Sequence, residues 1–413
     1  SWQSPSTELW NVTRQTISSS KDRAPALSAD ESELLHLDRT RALKIWPVAR
    51  RGLDSLGTFT LASRVAFTLS GTDLFWSNGQ STGIVQRSTP NGETTDVGAI
   101  GEAITVLAVS DDMKTIACTG SRTLILMDAE SGAKRTLVHG DMPIQTTVFV
   151  GDQFIAAGLD GKVYRWFLSD EQERGEVIAE HGAFLRGMVG LTVDPKGRWV
   201  ATSGSDRKSW LHPLPGKGEA RGEARLLGEG SVGAAGMAVS DDGEWLAMSL
   251  DPGRVSIFHT LDAKPTRVLE SADAMEQLIH PIFSPDGKAL AFSNNLTGLR
   301  VWPRWRESRD NELYDGLLEP SLPRFTSDGK RIIAAGKPDG SSAVWHLSSG
   351  HRRDLRGAQM LGRADYWADR RAFVVSNWGG EIYLWEDDLP SSWPELETWL
   401  TSELAARRAA SLP

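Results

Sequence analysis

The chain has 413 residues, 40% of them apolar and 24% charged, with a formal net charge of −9 and a pI near 5.5. That acidic balance disfavours nucleic acid as a partner, because such surfaces show as a basic excess or stripe. Cys118 is the single cysteine, which excludes a disulfide framework and a thiolate metal cluster and fits a reducing, cytoplasmic setting. No run of 18 apolar residues offers a membrane-spanning helix.

The sequence opens on Ser1-Trp2-Gln3-Ser4-Pro5-Ser6, with neither a starting Met nor a signal-peptide pattern, and reads as the cut end of a longer chain. Glu8 to Ile17 then reads as the tail of a repeat motif followed by an outer strand. After it one phrase recurs: an apolar alternation, an acidic turn, a short apolar run, a polar turn, and a strand ending in Trp or an equivalent. The first two copies, and the most eroded, centre on Leu27-Ser28-Ala29-Asp30 and Leu69-Ser70-Gly71-Thr72. Next come Val109-Ser110-Asp111-Asp112, Phe149-Val150-Gly151-Asp152, Val193-Asp194-Pro195-Lys196-Gly197 and Val239-Ser240-Asp241-Asp242-Gly243. The clearest copy is Ile282-Phe283-Ser284-Pro285-Asp286-Gly287-Lys288, followed by Phe325-Thr326-Ser327-Asp328-Gly329 and Tyr366-Trp367-Ala368-Asp369.

The strand ends are read at Trp46, Gln86, Leu126, Trp166, Trp210, Phe258, Trp302, Trp345 and Trp385, spaced by 40 to 48 residues. That period belongs to a propeller blade of four strands. The Ser-Pro-Asp-Gly turn has a physical basis: Pro presets φ, Asp bonds back to the backbone, and Gly accepts positive φ. The flanking runs alternate with period two, as half-buried strands do. Each fourth strand is expected after the strand-end residue, as at Lys134-Arg135-Thr136-Leu137. The ninth copy lacks one, so the amino-terminal strand at about 7–18 is expected to complete the last blade and remove an exposed edge. The expectation is an all-β propeller over 1–390 with about nine four-stranded blades, or eight if an early copy is irregular.

These turns, with the strand ends Val301-Trp302 and Val344-Trp345, resemble the WD40-repeat family over nearly the whole chain. The resemblance implies a protein-recognition module and a His–Ser–Asp–Trp hydrogen-bond network inside the blades. The family's Gly-His pair is mostly missing: His139 and His181 lie in the right zone but precede their glycine. The Trp-Asp pair is replaced by Trp46-Pro47, Trp166-Phe167 and Trp345-His346. The ending Leu384-Trp385-Glu386-Asp387-Asp388-Leu389-Pro390, with Trp393-Pro394-Glu395-Leu396 and Trp399-Leu400, is similar to the close of WD40 arrays in bacterial signalling proteins. There the array follows a STAND-type NTPase, a serine/threonine kinase or a protease and serves as sensor or scaffold. Residues 391–413 also read as an amphipathic helix, with capping-box spacing at Ser392 and Glu395 and one apolar face of Leu396, Trp399, Leu400 and Leu404.

No motif for chemistry stands out. Gly216-Lys217-Gly218 lacks the spacing of a phosphate loop, Ser203-Gly204-Ser205-Asp206 is a hairpin turn rather than a nucleophile elbow, and the eight histidines are scattered. Asp111-Asp112 and Asp241-Asp242 recur at the repeat's turn, so they read as turn formers, and Cys118 reads as a small buried hydrophobe. No catalytic residue, cofactor or metal site is expected. Two sets of residues depart from the repeat. Trp302-Pro303-Arg304-Trp305-Arg306 opens a long connection and offers Arg and Trp, the residues favoured at interfaces, with a locally bonded loop as the alternative. Loops between second and third strands should gather Arg39, Arg122, Asp160, Arg207, Asn295 and Trp378 on one face, as a binding rim or an ordinary solvated loop set. The expected function is a non-enzymatic sensor that binds a protein partner, or neighbouring domains of its own chain, and regulates an attached effector. An oligomerisation scaffold and an enzyme with a site at the channel mouth are the alternatives.

Overall fold

The computed structural model describes residues 26–27, 33–37, 43–47, 54–55, 67–70, 72–77, 82–121, 123–182, 188–230, 236–260, 262, 264–271, 278–294, 298–308, 312–315, 321–335, 342–347, 352–355, 361–377 and 382–387. Among these residues every regular element is a β-strand. Eight four-stranded sheets span 67–99, 106–136, 144–180, 188–229, 237–270, 278–315, 321–355 and 361–386, and a three-stranded sheet spans 26–47. In seven of the eight, four strands follow one another in chain order.

The exception bears on how the last sheet is completed. The place beside Ile382–Glu386 is held by Asp54–Ser55, with Ser55 opposite Tyr383 and Asp54 opposite Leu384. The segment 7–18, expected there, lies outside the described residues. By spacing Asp54–Ser55 is the fourth strand of the first repeat, and its transfer leaves that repeat (Ala26–Leu27, Glu33–Leu37, Leu43–Pro47) with three. Among the described residues, then, eight sheets carry four strands, against an expectation of about nine or eight. Sequence separation is a weak deterrent to such a pairing, because loop-closure cost grows only logarithmically. The helix expected over 391–413 also lies outside the described residues.

The repeated turn works by one hydrogen-bond scheme. The Ser or Thr hydroxyl donates to the Asp two residues on: Ser110 to Asp112 (2.6 Å), Ser240 to Asp242 (2.5 Å), Ser284 to Asp286 (2.6 Å) and Thr326 to Asp328 (2.5 Å). Each carboxylate also accepts a backbone N–H two residues further on, from Lys114, Glu244, Lys288 and Lys330. The hydroxyl donors hold the carboxyls of Asp112 and Asp286 below the usual carboxylate range. Gly243, Gly287 and Gly329 take φ of +73°, +67° and +66°, and Met113 stands in the same place at +59°. A side chain there is strained against its own carbonyl.

Register from these turns also revises the strand ends. Leu290 lies opposite Trp302, Ile332 opposite Trp345 and Leu246 opposite Phe258. The same count puts His212 opposite Val200 and Met127 opposite Ile116, so His212 and Met127, not Trp210 and Leu126, hold the strand-end place.

Successive sheets bury both faces against each other. Phe154 and Trp166 pack on Leu126 of the sheet before, Phe258 on Trp199, Trp302 on Ala247, and Trp345 on Ala291. The succession returns to its start: Trp367, Val374, Ile382 and Leu384 of the 361–386 sheet pack on Leu74 and Trp76 of the 67–99 sheet. Trp367 Nε1 donates to the Thr72 carbonyl across that seam at 2.6 Å. Arginines add a second tie between neighbours. Arg135, Arg225 and Arg267 of the outer strands donate to the carbonyls of Asp170, Thr260 and Arg306 in the following sheet, and Arg165 donates to that of Pro215. Each tie fixes the turn after a third strand.

Trp367→Ala removes a wholly buried indole from the returning seam and should cost about 3–5 kcal/mol in chemical denaturation, with faster amide exchange over 73–77. Met113→Gly, by contrast, should raise stability by up to about 1 kcal/mol, since relief of positive φ outweighs the added chain entropy. A neutral or destabilising result would remove the strain argument.

Candidate functional site

The turns between second and third strands include two of the six rim residues expected from sequence. Arg207 takes φ of +66° and is exposed. Asp160 is turned inward, accepting the Tyr164 hydroxyl at 2.5 Å and the Lys162 N–H at 3.0 Å. Arg39, Arg122, Asn295 and Trp378 lie outside the described residues.

Beneath Arg207 runs a buried hydrogen-bond chain. His181 Nδ1 lies 3.0 Å from Asp206, His181 Nε2 lies 2.9 Å from the Thr202 hydroxyl, and that hydroxyl lies 3.1 Å from His212 Nε2. A carboxylate only accepts, so His181 Nδ1 donates to Asp206, and the Thr202 hydroxyl links the two Nε2 atoms, donating to one ring and accepting from the other. His212 Nδ1 is buried with no partner among the described residues. His212 occupies the place that Trp302 and Trp345 hold in other sheets. Burial, aided by Arg221 and His181, pushes its pKa down to about 4. Neighbouring sheets pin this place with other groups. Glu102 accepts the Ser121 N–H at 3.0 Å and its hydroxyl at 2.8 Å, while Tyr164 and Asp160 do so in the 144–180 sheet.

The second candidate, the stretch from Trp302 to Arg306, divides sharply by burial. Trp302 is 0% exposed and belongs to the core between two sheets, and Trp305 is 1% exposed. The expectation that both present indoles to a partner is therefore corrected: strand register places Trp302 inside, and the turn folds Trp305 back. Trp305 Nε1 donates to the Gly287 carbonyl at 3.0 Å, and its ring packs edge-on against Trp245 (5.1 Å) and Phe283 (5.8 Å). Arg304 and Arg306 are exposed. The Arg306 guanidinium lies over both Trp245 (5.2 Å) and Trp305 (5.0 Å), with Asp242 at 4.0 Å. Stacking on two rings limits its rotamers while leaving an edge to solvent. Sequence reading missed Trp245, counting it as core because it follows the repeat; its partner across the sheet seam is invisible in one strand.

Cys118 is buried, and burial pushes its thiol up to about 12. Among the described residues no group of three His, Cys, Asp or Glu side chains is placed to hold a metal ion, and no helix is long and apolar enough to cross a membrane.

No family model matches the chain. Over 159 residues it is 25% identical to a WD repeat-containing protein of Synechocystis sp. (strain ATCC 27184 / PCC 6803 / Kazusa), itself described as uncharacterized. That match covers 38% of this chain and 44% of the relative, so less than half of the relative's length is spanned. Among solved structures, the computationally designed Ika8 protein aligns over 80% of this chain and 99% of its own, with TM-score 0.62 and 13% identity. The β-propeller domain of Cps50 (Swd1) from Myceliophthora thermophila aligns over 68% and 96%, with TM-score 0.52 and 16% identity. A chain of the Mitotic Checkpoint Complex aligns over 81% and 93%, with TM-score 0.52 and 11% identity. Repeated four-stranded sheets packed face to face define a β-propeller. The chain has that fold, and in its Ser-x-Asp-Gly turns and its matched relative it is similar to WD-repeat proteins.

Because the folded pKa of His212 lies below its ordinary value of 6.5, the folded state resists a proton that the unfolded chain accepts. Stability is complete above about pH 6.5 and falls as pH drops towards 4, by at most about 3 kcal/mol. His212→Trp, which restores the common strand-end residue, should flatten that slope in denaturation curves taken from pH 7 to 4. An unchanged slope would show that other groups carry it.

Proposed function

We propose that the chain is a non-enzymatic recognition module that binds a protein partner, or neighbouring domains of its own longer chain, and so governs an attached effector. The observation that carries this reading is where charge is free and where it is engaged. Asp112, Asp242, Asp286 and Asp328 are held in their own turns, Asp194 by Arg198, Asp387 by Arg331, and His181 by Asp206. Arg207 and Arg304 stand exposed on turns of a rigid scaffold, and Arg306 keeps an edge to solvent while stacked on Trp245 and Trp305 beside Asp242. A site for acid–base chemistry needs titratable groups facing a substrate, whereas turns bearing arginine on a fixed frame suit binding. The likeness to bacterial WD40 arrays supports a sensor role in which binding favours one of two conformations of an effector.

The test is affinity capture with the intact chain beside Arg207→Ala and the double variant Arg304→Ala/Arg306→Ala. Loss of one protein partner in only one of these variants, with the denaturation midpoint unchanged, is the expected result and assigns the binding side. Trp305→Ala is unsuited to the purpose, since that ring is buried. A chain that captures nothing and forms a defined multimer by light scattering would favour the scaffold reading.

A further inference from the structure

We propose that the corner between the 144–180 and 188–229 sheets is a binding pocket for an aromatic side chain with an adjacent carboxylate, presented by a protein partner. A cavity of about 300 Å³ opens there, lined in part by Gln153, Phe167, Lys196, Gly197, Gly216 and Lys217. That volume lies at the lower end of ligand pockets.

The chain itself shows what such a corner holds. The corner between the 237–270 and 278–315 sheets is its counterpart in the repeat. Gly197 and Gly287 close equivalent turns, with φ of +69° and +67°. Gln153 lies opposite Phe167 as Trp245 lies opposite His259. His212 holds the place of Trp302, so three and four residues on, Pro215 holds the place of Trp305 and Gly216 that of Arg306. In the later corner an indole fills the space, donates to the turn glycine's carbonyl and lies under a guanidinium. In the earlier one both large side chains are missing and the space is open.

Nothing in the backbone requires glycine at 216. Its φ lies outside the left-handed region, and a Cβ there would meet only the Glu219 carboxylate end, at 3.3 Å. The vacancy therefore does not follow from a strained turn. An incoming indole or phenol would lie against Phe167 and find the Gly197 carbonyl where Trp305 finds that of Gly287.

Charge at the mouth selects what accompanies the ring. Lys196 stands where the other corner has Asp286, and Lys217 where it has Glu307, so two acids become two bases. Lys217 pairs with Asp170, while Lys196 has no carboxylate within ion-pair range among the described residues. Asp152 already accepts the Ser169 N–H at 3.0 Å and its hydroxyl at 2.6 Å. Asp152 keeps its negative charge with its oxygens taken up by Ser169, so Lys196, outside any ion pair among the described residues, is the cation that can meet a carboxylate beside the ring.

The proposal deepens the recognition reading by naming what one surface takes. Its test uses the intact chain and two small probes, N-acetyltryptophan, which joins an indole to a carboxylate, and its neutral amide. Saturation-transfer NMR should show saturable binding of both, about tenfold tighter for the acid, as one charge-assisted hydrogen bond implies. The double variant Pro215→Trp/Gly216→Arg fills the corner from within and should abolish binding with the denaturation midpoint kept. Lys196→Glu, an exposed change, should remove the preference for the acid. Absence of saturable binding to the wild type, or equal binding by the filled variant, overturns the proposal. Should the filled variant fail to fold, an unaltered preference for the acid in Lys196→Glu overturns it alone. A partner still captured when the probes fail would leave the recognition reading standing and remove this pocket.

Discussion

Among the described residues each four-stranded sheet is apolar on both faces, so none can be stable without a neighbour on each side. Burial of Trp302, Trp345, Phe258 and Trp367 at successive seams satisfies that demand, and the rest of the structure follows from it. Every repeat must end with a bulky side chain at one register position. The first and last four-stranded sheets must meet, and they do so through Trp76 and Trp367. The last sheet also needs an outer strand, and it takes Asp54–Ser55 from the other end of the chain. That clasp joins two residue pairs, while the outer strand of the 67–99 sheet makes five. The apolar seam, rather than the strand pairing, must therefore hold the two ends together.

A frame set by its seams leaves its turns free to differ, and the difference between corresponding turns is where function can reside. One corner holds Trp305 and Arg306 and is full; another holds Pro215 and Gly216 and is open. The strand-end place is Trp at 166, 302, 345 and 385 but His212 in the 188–229 sheet, which introduces a titratable group into an otherwise inert position. Such substitutions change the local shape and charge without altering the fold, because backbone hydrogen bonds and seam packing lie elsewhere. Likeness to solved structures at 11–16% identity reports the shared frame and is silent on what the turns do.

The candidate site was legible in part. Exposure of Arg304 and Arg306 followed from their place after a strand, and the turn aspartates were readable as turn formers because they recur in register. Trp305 misled: a tryptophan beside arginines in a connection has the composition of an interface, but the turn folds its ring onto Trp245 and Phe283. The open corner left no mark in the sequence. It is a space, formed by two small residues of one sheet facing the edge of the sheet before, and it becomes visible only when equivalent corners are compared in three dimensions.

By itself the sequence determined the all-β class, the period, the turn chemistry and most of the strand-end core, since each is a local pattern repeated many times over. Only the tertiary structure decided which strand lies beside Ile382–Glu386, and therefore that, among the described residues, eight sheets have four strands and the 26–47 sheet three. It also decided which tryptophans are covered and which corner is empty. The physical reason is that edge pairing and seam packing join residues far apart in the chain. Asp54 finds Leu384, and Thr72 finds Trp367, through geometry that no local pattern encodes.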